Sequence, residues 1–387
     1  MTKSRYDIVV LGAGPAGSSA ALQAAKLKRS VCLIDRSARV GVPVRCGEGI
    51  GCQSFIRHAG NRPEWTLNLI RQSALVSPSG TRVTIGDADE SYILDREAMD
   101  GGLAAEAALA GADLFLSTPV VEVRRIAERA YECRSPDRVF TASCVIIADG
   151  VESRLARFLG WYTALSLSDV ESCAFCRVTS PLIDNNTCVF YTGQNVAPGG
   201  YAWIFPRGKG DANVGLGIIG THSGPGKARQ YLERFIDREF PAAHVRGLHC
   251  GGVPVGKWVR PLVRDGAMLA GDAARQVNSM SGAGIHYSLY AGKLAGTVAA
   301  AAFSADGSID YRALSRYETE WKKTYGKQQD RSYSLKEFVM KTDDAFLDRI
   351  AAALAKEPPA RLNYLRIFMR TFAGRPLLLY KAMKLFR

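Results

Sequence analysis

Between Tyr6 and Asp35 the sequence holds a strand, a glycine-rich turn, a helix and a second strand, and no other stretch restricts the fold as tightly. Residues 6–11 (Tyr-Asp-Ile-Val-Val-Leu) read as a buried parallel strand, 18–28 as an Ala-rich helix, and Val31 to Ile34 as a second strand that ends in Asp35. Gly12, Gly14 and Gly17 between them form GxGxxG, with Ala16 inside the turn. Alone this motif is weak; directly after a strand and opening a helix, it stands in the context it requires. The first glycine permits the tight turn. The second lets the backbone approach a pyrophosphate, and the third lets helix and strand pack closely. The helix start offers free N–H groups to phosphate. Asp35, 18 positions after Gly17, suits a ribose diol and would repel a 2′-phosphate. The adjacent Arg36 joins it as a binding candidate. A mere Gly-rich turn is the competing reading, and strand, helix and Asp35 in order argue against it. A dinucleotide without a 2′-phosphate, FAD or NAD, is expected.

Downstream features favour FAD. Asp272 lies in Leu269-Ala-Gly-Asp-Ala-Ala274 at a strand end, and Ser281-Gly-Ala-Gly-Ile285 then opens another helix. A carboxylate followed by a second Gly-rich helix start (Gly282, Gly284, Ile285) can hold a ribityl chain and bring N–H groups to a flavin ring. Asp272 also reads as a helix N-cap, and both roles can hold.

The fold expected is α/β plus antiparallel β: a Rossmann-like FAD-binding domain, an inserted antiparallel-sheet substrate domain and a helical C-terminus. Residues 37–60 read as loop, 74–86 as a hairpin, 96–110 as a helix, and 113–125 and 138–148 as strands, the last leading to Asp149. Short strands with turn signals dominate 160–260. From about 310 the chain reads as helical. The boundaries expected are 1–160 with 255–310 for FAD binding, 161–254 for the substrate sheet and 311–387 for the helical region.

At 387 residues the chain has room for about two domains. No apolar run reaches the ~18 residues of a spanning helix, and the first residues do not read as a secretory signal, so a cytoplasmic location is expected. Nine scattered cysteines show no paired metal spacing, and the five histidines are spread out; no metal is expected. His286 follows the second Gly-rich start, where capping or packing is its default role. Cys173 and Cys176 form a CxxC in an alternating strand-like stretch, so their thiols should point to opposite faces. The formal charge of +13 reads mostly as a solvated basic surface, without nucleic acid as partner. The tail differs. From Arg361 to Arg387 seven basic residues and no acidic one alternate with large apolar side chains, which suits an anionic bilayer surface; a helical lid is the other reading. Peripheral membrane association is expected.

With Gly12-x-Gly-Pro-Ala-Gly17, Ile147-Ala-Asp-Gly150, Gly271-Asp-Ala-Ala274 and Gly282-Ala-Gly-Ile285, the sequence resembles flavoproteins related to the aromatic hydroxylases. Two motifs narrow this. Pro43-Val-Arg-Cys-Gly-Glu-Gly49 resembles the PxxCxEG segment of the geranylgeranyl reductase family, and Tyr201-Ala-Trp-Ile-Phe-Pro206 its YxWxFP segment. The ordering matches over about residues 5–355. The resemblance implies FAD as cofactor and saturation of prenyl C=C bonds by hydride from reduced flavin, on a prenyl-chain lipid, quinone or diphosphate. The electron donor would be NAD(P)H or a ferredoxin-like protein. By the same resemblance the pyrophosphate turn is Gly12, Gly14, Ala16 and Gly17, and the ribose partner is Asp35. The flavin segment is Arg45, Cys46, Gly47 and Gly49. Arg96, a backbone contact at Val121, and Asp149, Asp272, Gly282, Gly284 and Ile285 complete the set. Cys46, Tyr201 and Trp203 are the catalytic candidates. Cys46 beside Arg45 could supply a proton, or could be a small residue that packing requires. Glu48 could orient Arg45 or form a charged edge to the site. Tyr201 and Trp203 share one strand face, which is core or prenyl-cavity wall. The alternatives are a flavin monooxygenase or halogenase, though the halogenase WxWxIP signature is absent, and a membrane-associated electron-transfer flavoprotein.

Overall fold

A computed structural model describes residues 5–85 and 90–356. The chain sorts into two compact units, Met1–Val44 with Arg96–Leu165 and Pro254–Asp330, and Arg45–Asp95 with Ser166–Val253 and Arg331–Arg387.

The first unit is built on an eight-stranded sheet. Its main path runs Val263–Arg264, Ala267–Leu269, Val139–Ile147, Arg5–Leu11, Val31–Ile34, Asp113–Phe115, and the hairpin Glu122–Ala127/Ala130–Arg134 joins at Val139–Ile147. From Ala267–Leu269 to Asp113–Phe115 the neighbours are parallel. Ile8 to Leu11, Val31 to Ile34 and Cys144 to Ile147 are buried, as continuous apolar runs in a sheet covered on both faces should be. The first strand is flanked by Val31–Ile34 on one side and Val139–Ile147 on the other. The order of strands therefore reverses at its C-terminal end, where a parallel sheet opens a crevice for ligand.

Two helices of small residues pack on this sheet, Pro15–Lys26 and Ile285–Ala301. A Cβ at Gly292 would overlap the Ala16 carbonyl, and one at Gly296 the Ala20 carbonyl. The glycines are four apart, as are the alanines, so the helices run parallel with backbone against backbone. The first helix begins at Pro15 and not at Ser18 as expected, because proline suits the first helical position and needs no N–H partner there. Gly17 thus lies in the first turn.

The second unit holds a seven-stranded sheet, in the order His244–Pro254, Val170–Thr179, Asp211–Ile219, Tyr201–Gly208, Thr187–Tyr191, Gln72–Val76, Arg82–Ile85. From Val170–Thr179 to Thr187–Tyr191 the pairs are antiparallel, and Thr187–Tyr191 runs parallel to Gln72–Val76. One face packs Cys176, Val178, Ala202, Ile204, Val214 and Leu216 with Leu232, Phe235 and Ile236 of the helix Lys227–Glu239. The opposite face carries Cys173, Phe175, Tyr201, Trp203 and Phe205. Cys173 and Cys176 thus point to opposite faces, as the alternation predicted.

Several local expectations change. Within 37–60 the chain forms a strand, Gly49–Gly51, and a helix, Cys52–Ala59. That helix buries only Cys52 and Phe55, too short an apolar stripe to read from sequence. The single strand expected over 113–125 is two, Asp113–Phe115 and Glu122–Ala127, which join different neighbours. The all-strand reading of 160–260 omitted Lys227–Glu239, whose buried Ala228, Leu232, Phe235 and Ile236 are helically spaced. Residues 45–95, placed with the FAD-binding region by the sequence reading, group with the second unit because the hairpin Gln72–Val76/Arg82–Ile85 extends its sheet. The helical residues divide at Asp330.

Gly292→Leu and Gly296→Leu should each cost about 3 kcal/mol or more, since backbone cannot yield to the added side chain. Urea unfolding that leaves the midpoint unchanged would contradict the close crossing.

Candidate active site

In the first unit the glycine-rich turn is shaped by two clashes and one open position. A Cβ at Gly12 would overlap the Ala148 carbonyl, and one at Gly17 would overlap the Gly12 carbonyl. Gly12 also has φ +100°. These two glycines are required by the protein itself. Gly14 is different: an added Cβ would meet nothing within 4 Å, and its φ of −67° and ψ of −177° suit any residue. The protein gives no reason for glycine there, whereas a diphosphate against the backbone does. Gly14 caps the helix with no side-chain hydrogen bond, so the N–H groups of Ala16 and Gly17 point away from the helix without an intrahelical partner.

Asp35 braces this turn. Its Oδ2 accepts from Ala13 N–H at 2.7 Å and its Oδ1 from Ser37 N–H at 2.8 Å. Each oxygen keeps a lone pair for a ribose hydroxyl. Among the described residues Arg36 makes only an exposed ion pair with Glu152 at 3.6 Å. Asp149 Oδ2 accepts from Leu155 N–H at 2.9 Å, while its buried Oδ1 has no partner among the described residues. Burial holds this carboxyl above its ordinary range. An orphaned buried acceptor beside the turn is what a hydroxyl-bearing ligand would satisfy. Val121 is exposed, and its N–H is already donated to Arg134 O at 2.8 Å, so that amide is not available to an adenine.

At the second helix start Asp272 lies in the tight turn Gly271–Ala274, with Oδ1 3.3 Å from where a Cβ on Gly284 would stand. Gly284 caps Ile285–Ala301, again without a side-chain hydrogen bond. Gly282, at φ +68°, donates its N–H to Asn278 O at 2.8 Å. Ile285 is buried. Burial pushes the Asp272 carboxyl up to about 6, against the opposing pull of Arg96. Arg96 itself forks onto Asp100 at 3.1 and 2.8 Å. Because Ala16 meets Gly292 and the second helix starts at Ile285, its uncapped end projects about 9 Å beyond the first. Two parallel positive helix ends so staggered suit one elongated ligand with phosphate at one end and an electron-accepting ring at the other, and these residues fit FAD.

In the second unit the segment Cys46–Gly49 folds onto the aromatic face. Cβ atoms on Gly47 and Gly49 would stand 3.0 and 3.2 Å from the Phe205 ring. Asn213, fully buried, accepts from Trp203 Nε1–H at 3.0 Å and donates to Cys46 O at 2.8 Å. Cys46 Sγ accepts from Glu48 N–H at 3.2 Å. Glu48, 1% exposed, takes Arg177 at 2.6 and 2.9 Å and also Arg207. The expectation that Glu48 orients Arg45 is therefore corrected. Arg45 is exposed, and a buried carboxylate needs cations that share its low-dielectric site.

The structure thus gathers Cys46, Gly47, Gly49, Tyr201 and Trp203 in one unit, and Gly12, Gly14, Ala16, Gly17, Asp35, Arg96, Asp149, Asp272, Gly282, Gly284 and Ile285 in the other. Sequence reasoning missed Arg177, Asn213, Arg207 and Glu171. The signal available for Arg177, Asn213 and Arg207 was a polar residue amid apolar strand neighbours, and for Glu171 there was none. The basic tail, 361–387, lies outside the described residues. No helix among the described residues is long and apolar enough to cross a membrane, and none of their His, Cys, Asp or Glu groups could hold a metal.

A family model described as the geranylgeranyl reductase catalytic domain matches residues 169–253, and a pyridine nucleotide-disulphide oxidoreductase model matches 6–179. The chain is 35% identical to digeranylgeranylglycerophospholipid reductase 2 of Methanococcoides burtonii, over 100% of this chain and 97% of that one. It is 37% identical to digeranylgeranylglycerophospholipid reductase of Methanosarcina mazei over the same shares, 100% and 97%. The crystal structure of a geranylgeranyl bacteriochlorophyll reductase-like protein from Thermoplasma acidophilum superposes with a TM-score of 0.91 at 29% identity, covering 99% of each chain. A flavin-dependent brominase, at TM-score 0.68 and 17% identity over 98% of each chain, shares the fold alone.

Gly14→Ala should change the stability of the FAD-free protein by less than about 1 kcal/mol while sharply weakening FAD retention. Flavin absorbance after gel filtration and urea unfolding of the stripped protein separate the two effects. Glu48→Ala, which leaves two arginines facing a vacated site, should cost about 3–5 kcal/mol in the same unfolding assay.

Proposed function

From the premise that this chain belongs to the geranylgeranyl reductase family, an FAD-dependent oxidoreductase, we infer that it saturates the C=C bonds of geranylgeranyl chains carried on a glycerophospholipid. The observation that carries the substrate class is the full-length likeness to digeranylgeranylglycerophospholipid reductases. The family's catalytic-domain match, 169–253, also coincides with strands whose one face is Cys173, Phe175, Tyr201, Trp203 and Phe205. An apolar aromatic face is what a prenyl chain needs as a wall.

When bound and reduced, FAD supplies a hydride to one alkene carbon. The roles of the chain's own residues follow from their settings. Gly14, with Ala16 and Gly17, holds the diphosphate by main-chain N–H groups, and Asp35 accepts from the adenosine ribose. Asp272 and the helix start at Gly284 and Ile285 hold the ribityl and ring end, with Arg96 and Asp149 as further polar partners. Trp203, fixed by Asn213, and Tyr201 form the wall against which the prenyl chain lies and from which water is excluded. Cys46, Gly47 and Gly49 bear on that wall, and the Glu48 ion cluster fixes their backbone. Arg36, Arg45 and Val121 lie in exposed positions; for Arg45 and Val121 the support is the family resemblance alone, and for Arg36 its place beside Asp35.

Electrons arrive from NAD(P)H or a ferredoxin-like protein. The alternation of basic and large apolar residues over 361–387 supports a peripheral seat on an anionic membrane, where the lipid substrate resides.

Dithionite-reduced protein, mixed without oxygen with a digeranylgeranylglycerophospholipid, with geranylgeranyl diphosphate and with a polyprenyl quinone, should raise the mass of the phospholipid in steps of two hydrogens. Unchanged phospholipid beside a reduced quinone or diphosphate would move the substrate elsewhere, and no mass gain on any of them would end the prenyl-reductase reading.

A further inference from the structure

Saturating an isolated C=C bond requires a proton as well as a hydride, and one carboxyl in the second unit is set apart by its surroundings. Glu171, 7% exposed, stands near the start of Val170–Thr179 on the face that bears Cys173 and Phe175. It pairs with Ile219, and diagonally across the sheet lies Gly217, which pairs with Cys173 on one side and Tyr201 on the other. A Cβ on Gly217 would come 2.8 Å from Glu171 Oε2 and 3.2 Å from Cys173 Sγ. The bare Cα of Gly217 therefore makes the room that the carboxyl occupies. Among the described residues no group hydrogen-bonds to the Glu171 carboxyl, whereas Glu48 on the same face is held by two arginines. Such a carboxyl in an apolar aromatic setting favours the neutral acid.

Among the described residues, Lys336 is the charged group that acts on it. Lys336, from the helix Lys327–Val339, draws the Glu171 carboxyl toward ionisation, but its Nζ is already bound to Ser168 O at 2.8 Å and Asp169 at 3.2 Å, with Glu337 at 3.4 Å. Tyr201 and Cys173 are its other titratable neighbours among the described residues, and burial pushes the Tyr201 phenol and the Cys173 thiol far up, so both stay protonated. Burial lifts Glu171 to about 7.

We propose that Glu171 is the acid of the reduction and gives its carboxyl proton to the alkene carbon that does not receive the hydride. The proposal rests on the prenyl-reductase reading. Hydride from reduced FAD forms one C–H bond. The π pair forms the second with the Glu171 proton, while the O–H pair stays on the carboxylate. The alkene is reduced by two electrons, the flavin is oxidised by two, and water reprotonates Glu171.

Single-turnover reduction of the phospholipid by the dithionite-reduced holoprotein tests this. The parent rate should fall as pH rises through about 7. Glu171→Gln should lose about 10²–10⁴-fold of that rate, with dithionite reduction of its flavin unchanged. Glu171→Asp should recover part of the rate. Lys336→Gln, which removes the cation favouring ionisation, should move the falling limb to higher pH. A second readout needs no turnover. A carboxyl raised in the folded state from 4.5 to about 7 contributes stability below pH 4.5 that is lost as pH rises through 7. Glu171→Gln should therefore gain on the parent in urea unfolding across that window. Parent rate and pH profile in Glu171→Gln would overturn the proposal. If the parent itself reduces no prenyl substrate, the prenyl-reductase reading fails and this role for Glu171 falls with it, even where the stability difference persists.

Discussion

The first unit depends on two helices meeting with no side chain between them. Gly292 and Gly296 lie against the carbonyls of Ala16 and Ala20, so the axes are held at backbone distance along two turns. This contact fixes the relative position of two uncapped helix starts from distant parts of the sequence. A larger residue at either glycine would separate the axes and with them the two sets of free N–H groups. The positive ends would no longer serve one ligand. Gly271 extends the constraint, because a Cβ there would come 2.8 Å from that of Ala16. The turn carrying Asp272 is thereby tied to the glycine-rich turn.

Glycine has another use in the second unit. On the strand Asp211–Ile219, Gly215 and Gly217 leave two gaps on the aromatic face. The Trp203 ring occupies the space over Gly215, and the Glu171 carboxyl the space over Gly217. The side chains facing the same way therefore change character along the strands. Arg177, Arg207, Asn213 and Glu48 form a charged, hydrogen-bonded cluster at one end. Aromatic rings fill the middle, and a solitary acid stands at the other end. Buried charge is tolerated where it is paired; where it is unpaired the neutral acid is favoured.

The parts legible in the sequence were those set by local pattern. Ile8 to Leu11 followed by GxGxxG announced a parallel strand and a phosphate turn, and Asp35 marked the next strand end. The alternation of Tyr201 and Trp203 with Ala202 and Ile204 gave the two faces of one strand. What escaped depends on register between remote segments. Glu48 meets Arg177 and Arg207, which are 129 and 159 positions away, and only the pairing of Val170–Thr179 and Tyr201–Gly208 with Asp211–Ile219 brings them together. From sequence the nearest cation, Arg45, was the natural partner, and it is exposed. Glu171 was hidden for a related reason. A glutamate at a strand start reads as surface until Gly217 is seen to make room for it.

Asp272 and Glu171 show how one cause leads to two protonation behaviours. Burial raises both, to about 6 and about 7. Asp272 stands against the uncapped start of Ile285–Ala301 and under the influence of Arg96, and both favour its charged form. It is mainly carboxylate at neutral pH, as a hydrogen-bond acceptor for a sugar-like chain must be. Among the described residues Glu171 has no hydrogen-bond donor, and Lys336, the cation acting on it, is already committed to Asp169. Near neutrality it is divided between acid and carboxylate, the condition in which a group both gives and recovers a proton with least driving force lost. What separates the two roles is therefore the presence or absence of a donor within reach, since burial alone treats both carboxyls alike.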